Sequence, residues 1–276
     1  MSSSPSPSTS IAFIGGGNMA SALIGGLRRS GVPAGRILVV EPQAEQRARL
    51  HTQFGIDALP EASAALAAAS LVVWAVKPQL FKAAAAPCAA QVRGAAQLSV
   101  MAGIRSDAIV AATGSVRVVR AMPNTPALIG RGIAGLYARP EVGAAERAAV
   151  EALLAPTGAT LWVEREADLD AVTALSGSGP AYVFLFIEAL TDAAREMGLS
   201  EAQGRALALA TFAGATALAE QSDEPPATLR ERVTSKGGTT YAALGSMQAD
   251  GVREAIVRAV RAAQRRAVEL GDEFGR

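Results

Sequence analysis

The sequence has one cysteine, one histidine and few aromatic residues. Cys88 and His51 stand alone, so one chain cannot form a disulfide or build a metal site from thiolates and imidazoles. Aromatic residues make up 4% of the chain and the net charge is +1, which disfavours the clustered basic surface that nucleic-acid binding needs. These shortages favour a reduced, cytoplasmic protein with small-molecule ligands, without a metal site and without nucleic acid as a partner.

Long apolar runs are also missing. No uninterrupted run reaches the roughly 18 residues that a membrane span needs, so we expect no membrane segment. Residues 1–10 are mainly Ser and Pro, which predicts a disordered tail and not a secretory signal. Half of the 276 residues are hydrophobic, and the length exceeds that of a typical domain of roughly 150 residues, so two domains are expected.

A glycine-rich turn follows the first predicted strand. The apolar run Ile11–Ile14 leads directly into Gly15-Gly16-Gly17-Asn18-Met19-Ala20 and then into a predicted helix. Gly15 permits a tight turn, Gly17 lets a pyrophosphate approach the backbone, and Ala20 lies where helix and strand pack closely. Strand, turn and helix in this order predict a dinucleotide site.

Glu41 lies at the end of the second predicted strand, residues 37–40. It follows the glycine turn by about twenty residues, which is the spacing expected of an acid that binds the ribose. Its carboxylate would accept a hydrogen bond from the ribose 2′-hydroxyl and repel a 2′-phosphate, which favours NADH. Arg47 and Arg49 follow on the next helix and are placed to bind such a phosphate. Both NADPH and NADH therefore stay open as cofactors.

Two more loops end strands at the same predicted edge. Residues 71–76 are continuously apolar, as in a strand buried on both faces, and Lys77-Pro78 ends that strand. We expect a ligand to bind there, at the carboxyl end of a central strand, although a plain surface charge at Lys77 also fits the pattern. Asn124, between two prolines of the stiff segment 122–126, has an amide suited to a nicotinamide carboxamide, although a plain turn fits the pattern nearly as well. Further strands are predicted at residues 98–101, 116–121, 132–137 and 160–163, which completes a doubly wound α/β sheet over residues 11–167.

Residues 168–276 show helical spacing throughout, which predicts a second, all-α domain. Pro180 is predicted to open a long helix that ends near Met197. This helix is apolar around most of its circumference, so we expect it to be buried in an intertwined homodimer. Near the end of the chain, the loop 234–240 places hydroxyl residues on both sides of Gly237 and Gly238, just before a predicted helix at residues 241–247. Backbone N–H groups and hydroxyls there form a predicted carboxylate site.

Five segments together resemble pyrroline-5-carboxylate reductases. They are Gly15-Gly-Gly-Asn-Met-Ala20, Ala75-Val-Lys-Pro78, Met122-Pro-Asn-Thr-Pro126, Ser176-Gly-Ser-Gly-Pro180 and Val233-Thr-Ser-Lys-Gly-Gly-Thr-Thr240. The resemblance covers roughly residues 11–270 and implies a Rossmann domain followed by a helical dimerisation domain. It also implies reduction of 1-pyrroline-5-carboxylate to L-proline with NADPH or NADH, by dimers that in some members assemble into rings.

The resemblance assigns roles by position. The predicted dinucleotide site comprises Gly15, Gly16, Gly17, Asn18, Met19, Glu41, Ala75, Val76, Lys77, Pro78 and Asn124. The substrate carboxylate is assigned to Ser235, Gly237, Gly238 and Thr239, and Thr240 is assigned the catalytic role of holding its hydroxyl against the ring nitrogen. Two departures affect affinity and cofactor choice: Lys236 stands where many relatives have proline, and relatives that prefer NADPH commonly lack an acid at position 41.

The chemistry agrees with this assignment. A protonated cyclic imine needs a positioned hydride donor and a carboxylate anchor but little acid–base catalysis, so a lone His51 is no obstacle. Two alternatives remain. A β-hydroxyacid dehydrogenase-like enzyme would need a catalytic lysine on the helix that follows Pro180, and none is present there. A non-catalytic dinucleotide-sensing dimer would use the glycine pair at 237–238 only as a helix cap.

Overall fold

The computed structural model of the chain describes residues 10–274. Residues 1–9 of the predicted tail lie outside the described residues, whereas the carbonyl of Ser10 accepts a hydrogen bond from the Ser70 amide at 3.0 Å. By their internal contacts the described residues form two units. The first runs to Ser178 and includes the residues from Ala263 onward, and the second is Gly179–Ala262. The predicted domain boundary between residues 167 and 168 stays a prediction.

The first unit contains a seven-stranded sheet. Its strands are β1 (Ile11–Ile14), β2 (Ile37–Val40), β3 (Leu71–Trp74), β4 (Ala96–Ser99), β5 (Val118–Met122), β6 (Gly132–Ala138) and β7 (Gly158–Trp162). Each lies within two residues of a predicted strand. The predicted and observed strands agree because most of them are short apolar runs with Gly, Pro or Ser close by. Such runs are typical of strands whose sheet is covered on both faces.

The strand order is β2-β1-β3-β4-β5-β6-β7. The pairs from β2 through β5 are parallel, β5 and β6 are antiparallel, and β6 and β7 are parallel. The chain leaves β1 for β2 on one side and then returns to β3 on the other side. This reversal creates a topological switch point at the carboxyl ends of β1 and β3, where open α/β sheets bind their ligands.

Helices cover both faces of the sheet. The helices of the first unit are α1 (Asn18–Arg29), α2 (Ala44–Phe54), α3 (Phe81–Ala85), α4 (Ala89–Val92), α5 (Ser106–Thr113), α6 (Ala144–Leu154) and α7 (Asp168–Val172). Alternate strand residues feed two separate cores: Phe13 packs in one and Ile14 in the other. The predicted doubly wound sheet is confirmed.

A buried glutamine supports the second of these cores. Gln97 is fully buried on β4; its side-chain oxygen accepts from the Trp74 indole N–H at 2.8 Å. Its amide donates to the carbonyls of Val92 and Ala95, both at 2.9 Å. These protein hydrogen bonds take the place of the hydrogen bonds that the side chain would make to water. An amide can then be buried without a large cost in free energy.

The C-terminal part of the chain is helical. Its helices are α8 (Gly179–Glu196), α9 (Glu201–Glu220), α10 (Pro226–Arg232), α11 (Thr239–Ala249) and α12 (Val252–Phe274). A π turn, Thr173–Gly177, precedes α8. Pro180 has no N–H, and its ring would collide with the carbonyl four residues earlier in a regular helix. Pro180 lies in the first turn of α8, where neither restriction applies, and α8 starts at Gly179, one residue before the predicted Pro180.

The second unit leaves much apolar surface uncovered. α8 and α9 pack closely where Gly204 faces α8, since a Cβ at Gly204 would lie 2.7 Å from the Ala194 methyl. Yet Phe184 is 59% exposed and Leu185 63% exposed. The helical run Asp168–Glu196 is long and apolar enough to span a membrane by composition, a test that core helices of soluble proteins also pass. The expected absence of a membrane segment stays a prediction.

Candidate functional site

The glycine-rich turn lies at the switch point of the sheet. Gly15 has φ +96°, and a Cβ there would lie 2.7 Å from the Ala75 carbonyl oxygen at the end of β3. Gly15 is thus required both by its left-handed backbone and by the close approach of β3. The turn and the predicted cofactor loop 75–78 are consequently adjacent, as expected from the sequence.

Gly17 caps α1 and faces open space. No atom lies within 4 Å of the position a Cβ would take at Gly17, and the first turn of α1 has no acidic residue. Asn18 and Met19 begin the helix, so their N–H groups have no acceptor within it. Unpaired N–H groups and the positive end of the helix suit a pyrophosphate, so the residues present fit a dinucleotide.

Glu41 contacts the turn directly. Its carboxylate, 7% exposed, accepts hydrogen bonds from the backbone N–H of Gly16 at 2.8 Å and of Gln43 at 2.9 Å. A Cβ at Gly16 would lie 2.7 Å from a Leu50 methyl group, so a larger residue here would have to displace the Leu50 side chain. Sequence reasoning placed Glu41 beside the ribose but missed its contact with Gly16. The ribose contact itself stays a prediction.

The other two cofactor loops follow β3 and β5. Ala75 and Val76 are half-buried, while Lys77 is exposed and precedes a short turn, Pro78–Leu80. The side-chain oxygen of Asn124 accepts from the Ile133 N–H at 3.0 Å, which ties its loop to β6. The contact of Asn124 with a nicotinamide stays a prediction.

The substrate loop predicted at 234–240 forms a turn and a helix start. Gly237 has φ +77°, and the Gly238 N–H donates to the Ser235 carbonyl at 3.0 Å. Gly238 then caps α11, whose first turn has no acidic residue and receives no side-chain cap. A Cβ at Gly238 would lie 2.5 Å from the Ser235 hydroxyl oxygen.

Thr239 and Thr240 thus belong to the first turn of α11, two residues earlier than the predicted helical run from residue 241. Their backbone N–H groups have no acceptor within the helix. Thr239 is exposed and Thr240 half-buried. Free N–H groups, nearby hydroxyls and a positive helix end can bind a small carboxylate. The roles of Ser235, Gly237, Gly238, Thr239 and Thr240 stay predictions.

Sequence reasoning missed a buried ion-pair cluster in the first unit. Arg105 makes two hydrogen bonds to the Asp170 carboxylate, at 2.8 and 3.2 Å. Glu166 accepts from the Ser106 N–H and hydroxyl, both at 2.6 Å, and from Arg120 at 2.8 Å. Burial lowers the pKa of the Arg120 guanidinium, and Glu166 opposes that shift.

This cluster joins β5 and α5 to the segment around α7. Arg120 lies on β5 two residues before Met122, and Asp170 lies on α7 just before the π turn. A Cβ at Gly177 would lie 2.7 Å from the Met122 methyl group, so the π turn before α8 packs closely against the end of β5. Among residues 10–274, no group of three or more His, Cys, Asp or Glu side chains is placed to hold a metal.

Fold and site define a class: a dinucleotide-dependent oxidoreductase with a Rossmann-type sheet. A family model described as NADP oxidoreductase, coenzyme F420-dependent, matches residues 10–103. A second, described as pyrroline-5-carboxylate reductase dimerisation, matches residues 166–270.

Similar proteins identify the family. The pyrroline-5-carboxylate reductase of Pseudomonas aeruginosa is 47% identical over 267 residues, covering 96% of this chain and 98% of the relative. That of Haemophilus influenzae is 40% identical over 267 residues, with the same two coverages. The chain belongs to the pyrroline-5-carboxylate reductase family, whose members are NAD(P)H-dependent oxidoreductases.

Solved structures agree with this assignment. A pyrroline-5-carboxylate reductase from Coxiella burnetii superposes with a TM-score of 0.89 at 33% identity, covering 95% of this chain and 98% of that one. The Plasmodium falciparum enzyme, solved with NADP bound, gives a TM-score of 0.84 at 27% identity, with the same coverages. The predicted family, fold class, enzymatic activity and helical dimerisation domain are confirmed. The two alternatives, a sensing dimer and a β-hydroxyacid dehydrogenase-like enzyme, are not supported.

Proposed function

We propose that this chain, as a homodimer in the cytoplasm, binds NADPH or NADH at the glycine turn and the substrate carboxylate at the start of α11. The reduced nicotinamide, when bound, supplies a hydride to the C=N carbon of protonated 1-pyrroline-5-carboxylate, and L-proline is the product. The observation that carries the substrate assignment is the helix start at Gly238, which has no side-chain cap and no acid in its first turn.

The residues of the 235–240 segment divide the work of binding and orientation. The N–H groups of Thr239 and Thr240 and the Ser235 hydroxyl are the donors for a carboxylate. The Thr240 hydroxyl is assigned to the ring nitrogen of the imine, which it holds in place during hydride transfer. Because the imine is already protonated, positioning supplies most of the rate and no general base is required.

The proposed homodimer rests on the exposed apolar surface of the second unit. A monomer would expose an apolar surface to water, and such surfaces mark interfaces. The surface includes Phe184 and Leu185 of α8 and Leu207 and Leu218 of α9. A second copy covers such a surface by twofold symmetry. A ring of dimers stays a prediction.

Cofactor choice follows from the end of β2. We assign the ribose 2′-hydroxyl to Glu41, which favours NADH because the carboxylate repels a 2′-phosphate. Arg49 pairs with Glu45 at 2.7 Å, and Arg47 donates to the carbonyls of Glu41 and Pro42 at 3.0 and 2.7 Å. Both arginines therefore already have hydrogen-bond partners.

A direct assay tests the proposal. The purified chain is mixed with 1-pyrroline-5-carboxylate and NADH or NADPH, and loss of the reduced cofactor is followed together with proline formation. Equal amounts of proline formed and cofactor oxidised support the reductase. Cofactor binding without proline formation would contradict the proposed reaction, and faster turnover with NADPH than with NADH would contradict the cofactor preference alone.

A further inference from the structure

The backbone of Gly16 is held from two sides. Its N–H donates to the buried carboxylate of Glu41 at 2.8 Å. Its carbonyl accepts a hydrogen bond from the side-chain amide of Gln46 on α2, and a weaker one from the Ser21 hydroxyl at 3.3 Å. Gln46 is half-buried at this position. Glycine itself has little conformational preference, so these contacts decide the direction of its carbonyl.

The direction of that carbonyl fixes the next N–H. Within the described residues all peptide bonds are trans, and in a trans peptide the C=O and N–H point in opposite directions. If Gln46 draws the Gly16 carbonyl toward α2, the Gly17 N–H must point away from α2. Gly17 borders the open space at the start of α1 described above.

We propose that Gln46 is a positioning residue for the dinucleotide: it sets the Gly17 N–H toward the pyrophosphate without touching the cofactor. This inference rests on the proposed cofactor site. It separates two neighbouring roles, because Glu41 is assigned to the ribose, where NADH and NADPH differ, whereas Gln46 acts at the pyrophosphate, which they share. Loss of the Gln46 side-chain amide should therefore weaken the binding of NADH and of NADPH by the same factor.

The test is the substitution Gln46→Met, which removes the donor and keeps the length of the side chain. ADP-ribose, which contains the pyrophosphate but no nicotinamide, is titrated calorimetrically into the full-length protein. We expect its dissociation constant to rise about fivefold, the loss of one hydrogen bond of ordinary strength. The KM values for NADH and NADPH should rise by the same factor, with kcat at saturating cofactor unchanged.

Two controls separate positioning from general damage. Gln53→Met changes the same residue type at an exposed position of the same helix and should leave all these values unchanged. Gln46→Leu is measured beside Gln46→Met, with thermal unfolding of each, so that one poorly folding variant does not decide the result. The double variant Gln46→Met with Ser21→Ala should weaken ADP-ribose binding further, because it removes both donors to the Gly16 carbonyl.

The outcomes are distinct. Unchanged ADP-ribose binding in well-folded Gln46→Met and Gln46→Leu would overturn the role of Gln46 and leave the proposed function intact. A change in the ratio of NADH to NADPH affinity would assign Gln46 to the ribose and also overturn it. Failure of the unaltered chain to bind ADP-ribose would contradict the proposed cofactor site itself.

Discussion

The two units of the chain differ in how they bury apolar surface. The first has two cores on opposite faces of a sheet, with Trp74, Phe13 and Phe81 almost fully buried. In Gly179–Ala262, Ala194 and Ala208 are the buried hydrophobic residues among those described. Both units are rich in Ala and Leu, so composition does not explain the difference. The first unit can be stabilised within one chain, whereas the exposed apolar surface of the second agrees with the proposed partner surface.

The strongest test of this comparison is a large-to-small change in the first unit. Trp74 is fully buried, stacks edge-on against Phe81 with ring centroids 5.2 Å apart, and donates to Gln97. We expect Trp74→Ala to lower the free energy of unfolding by about 3–5 kcal/mol, because it leaves a cavity and an unpaired buried amide oxygen.

Urea unfolding followed by the fluorescence of Trp162, the other tryptophan, measures this loss in the same unit. The loss should be the same at low and high protein concentration. A loss that disappears at high concentration would show that the first unit also depends on the partner.

A charge on α8 tests the second unit. We expect Leu185→Asp to raise the dimer dissociation constant about a hundredfold, or about 2.7 kcal/mol, because burying an unpaired carboxylate in an apolar interface is costly. Sedimentation velocity over a range of concentrations measures this constant.

The matched control is Ile129→Asp, which places the same charge at an exposed apolar residue of the first unit, 78% exposed. It should leave the dimer intact. Dissociation by Ile129→Asp but not by Leu185→Asp would reverse the comparison.

Substitution of Thr240 tests the proposal that the first unit binds the cofactor and the second unit binds the substrate. We expect Thr240→Ala to lower kcat roughly tenfold, about 1.4 kcal/mol of transition-state stabilisation, with the dissociation constant for NADH nearly unchanged. Stopped-flow turnover and calorimetric binding measure the two quantities. Thr240→Ser keeps the hydroxyl and should retain most of the activity. Unaltered kinetics in Thr240→Ala would remove this residue from the mechanism.

Local patterns were sufficient to predict all seven strands and the glycine turn. Each strand is a short apolar run with nearby breakers, and Gly15 needs its φ for a turn that involves only neighbouring residues. The same reasoning located the substrate loop but began α11 two residues late, since helix ends depend on capping geometry that the threonines at 239 and 240 do not reveal by type.

Contacts between distant segments could not be predicted in this way. Glu166 bonds Ser106 and Arg120, which lie 60 and 46 residues earlier, and no local period connects such positions. A charged residue reads as solvent-exposed unless its partner is known. The Gly16 contacts with Glu41 and Gln46 were missed for the same reason, although Glu41 itself was found through its spacing from the turn.

Substitution of Glu41 has the smallest expected effect, and it tests the proposed cofactor site of the first unit. We expect Glu41→Ser to shift the ratio of kcat/KM for NADPH over NADH about fivefold upward, about 1 kcal/mol, because the carboxylate no longer repels a 2′-phosphate. The same change removes the acceptor of the Gly16 and Gln43 N–H groups, so binding of both cofactors should also weaken. Glu41→Gln helps to separate these effects, since it removes the charge and keeps one acceptor oxygen for the Gly16 N–H, while its NH₂ group cannot accept from the Gln43 N–H. If the charge sets the preference, both variants shift the ratio, and Glu41→Ser loses more affinity for ADP-ribose than Glu41→Gln. An unchanged or lower ratio in both variants would contradict the ribose contact and leave Glu41 solely as a support for the glycine turn.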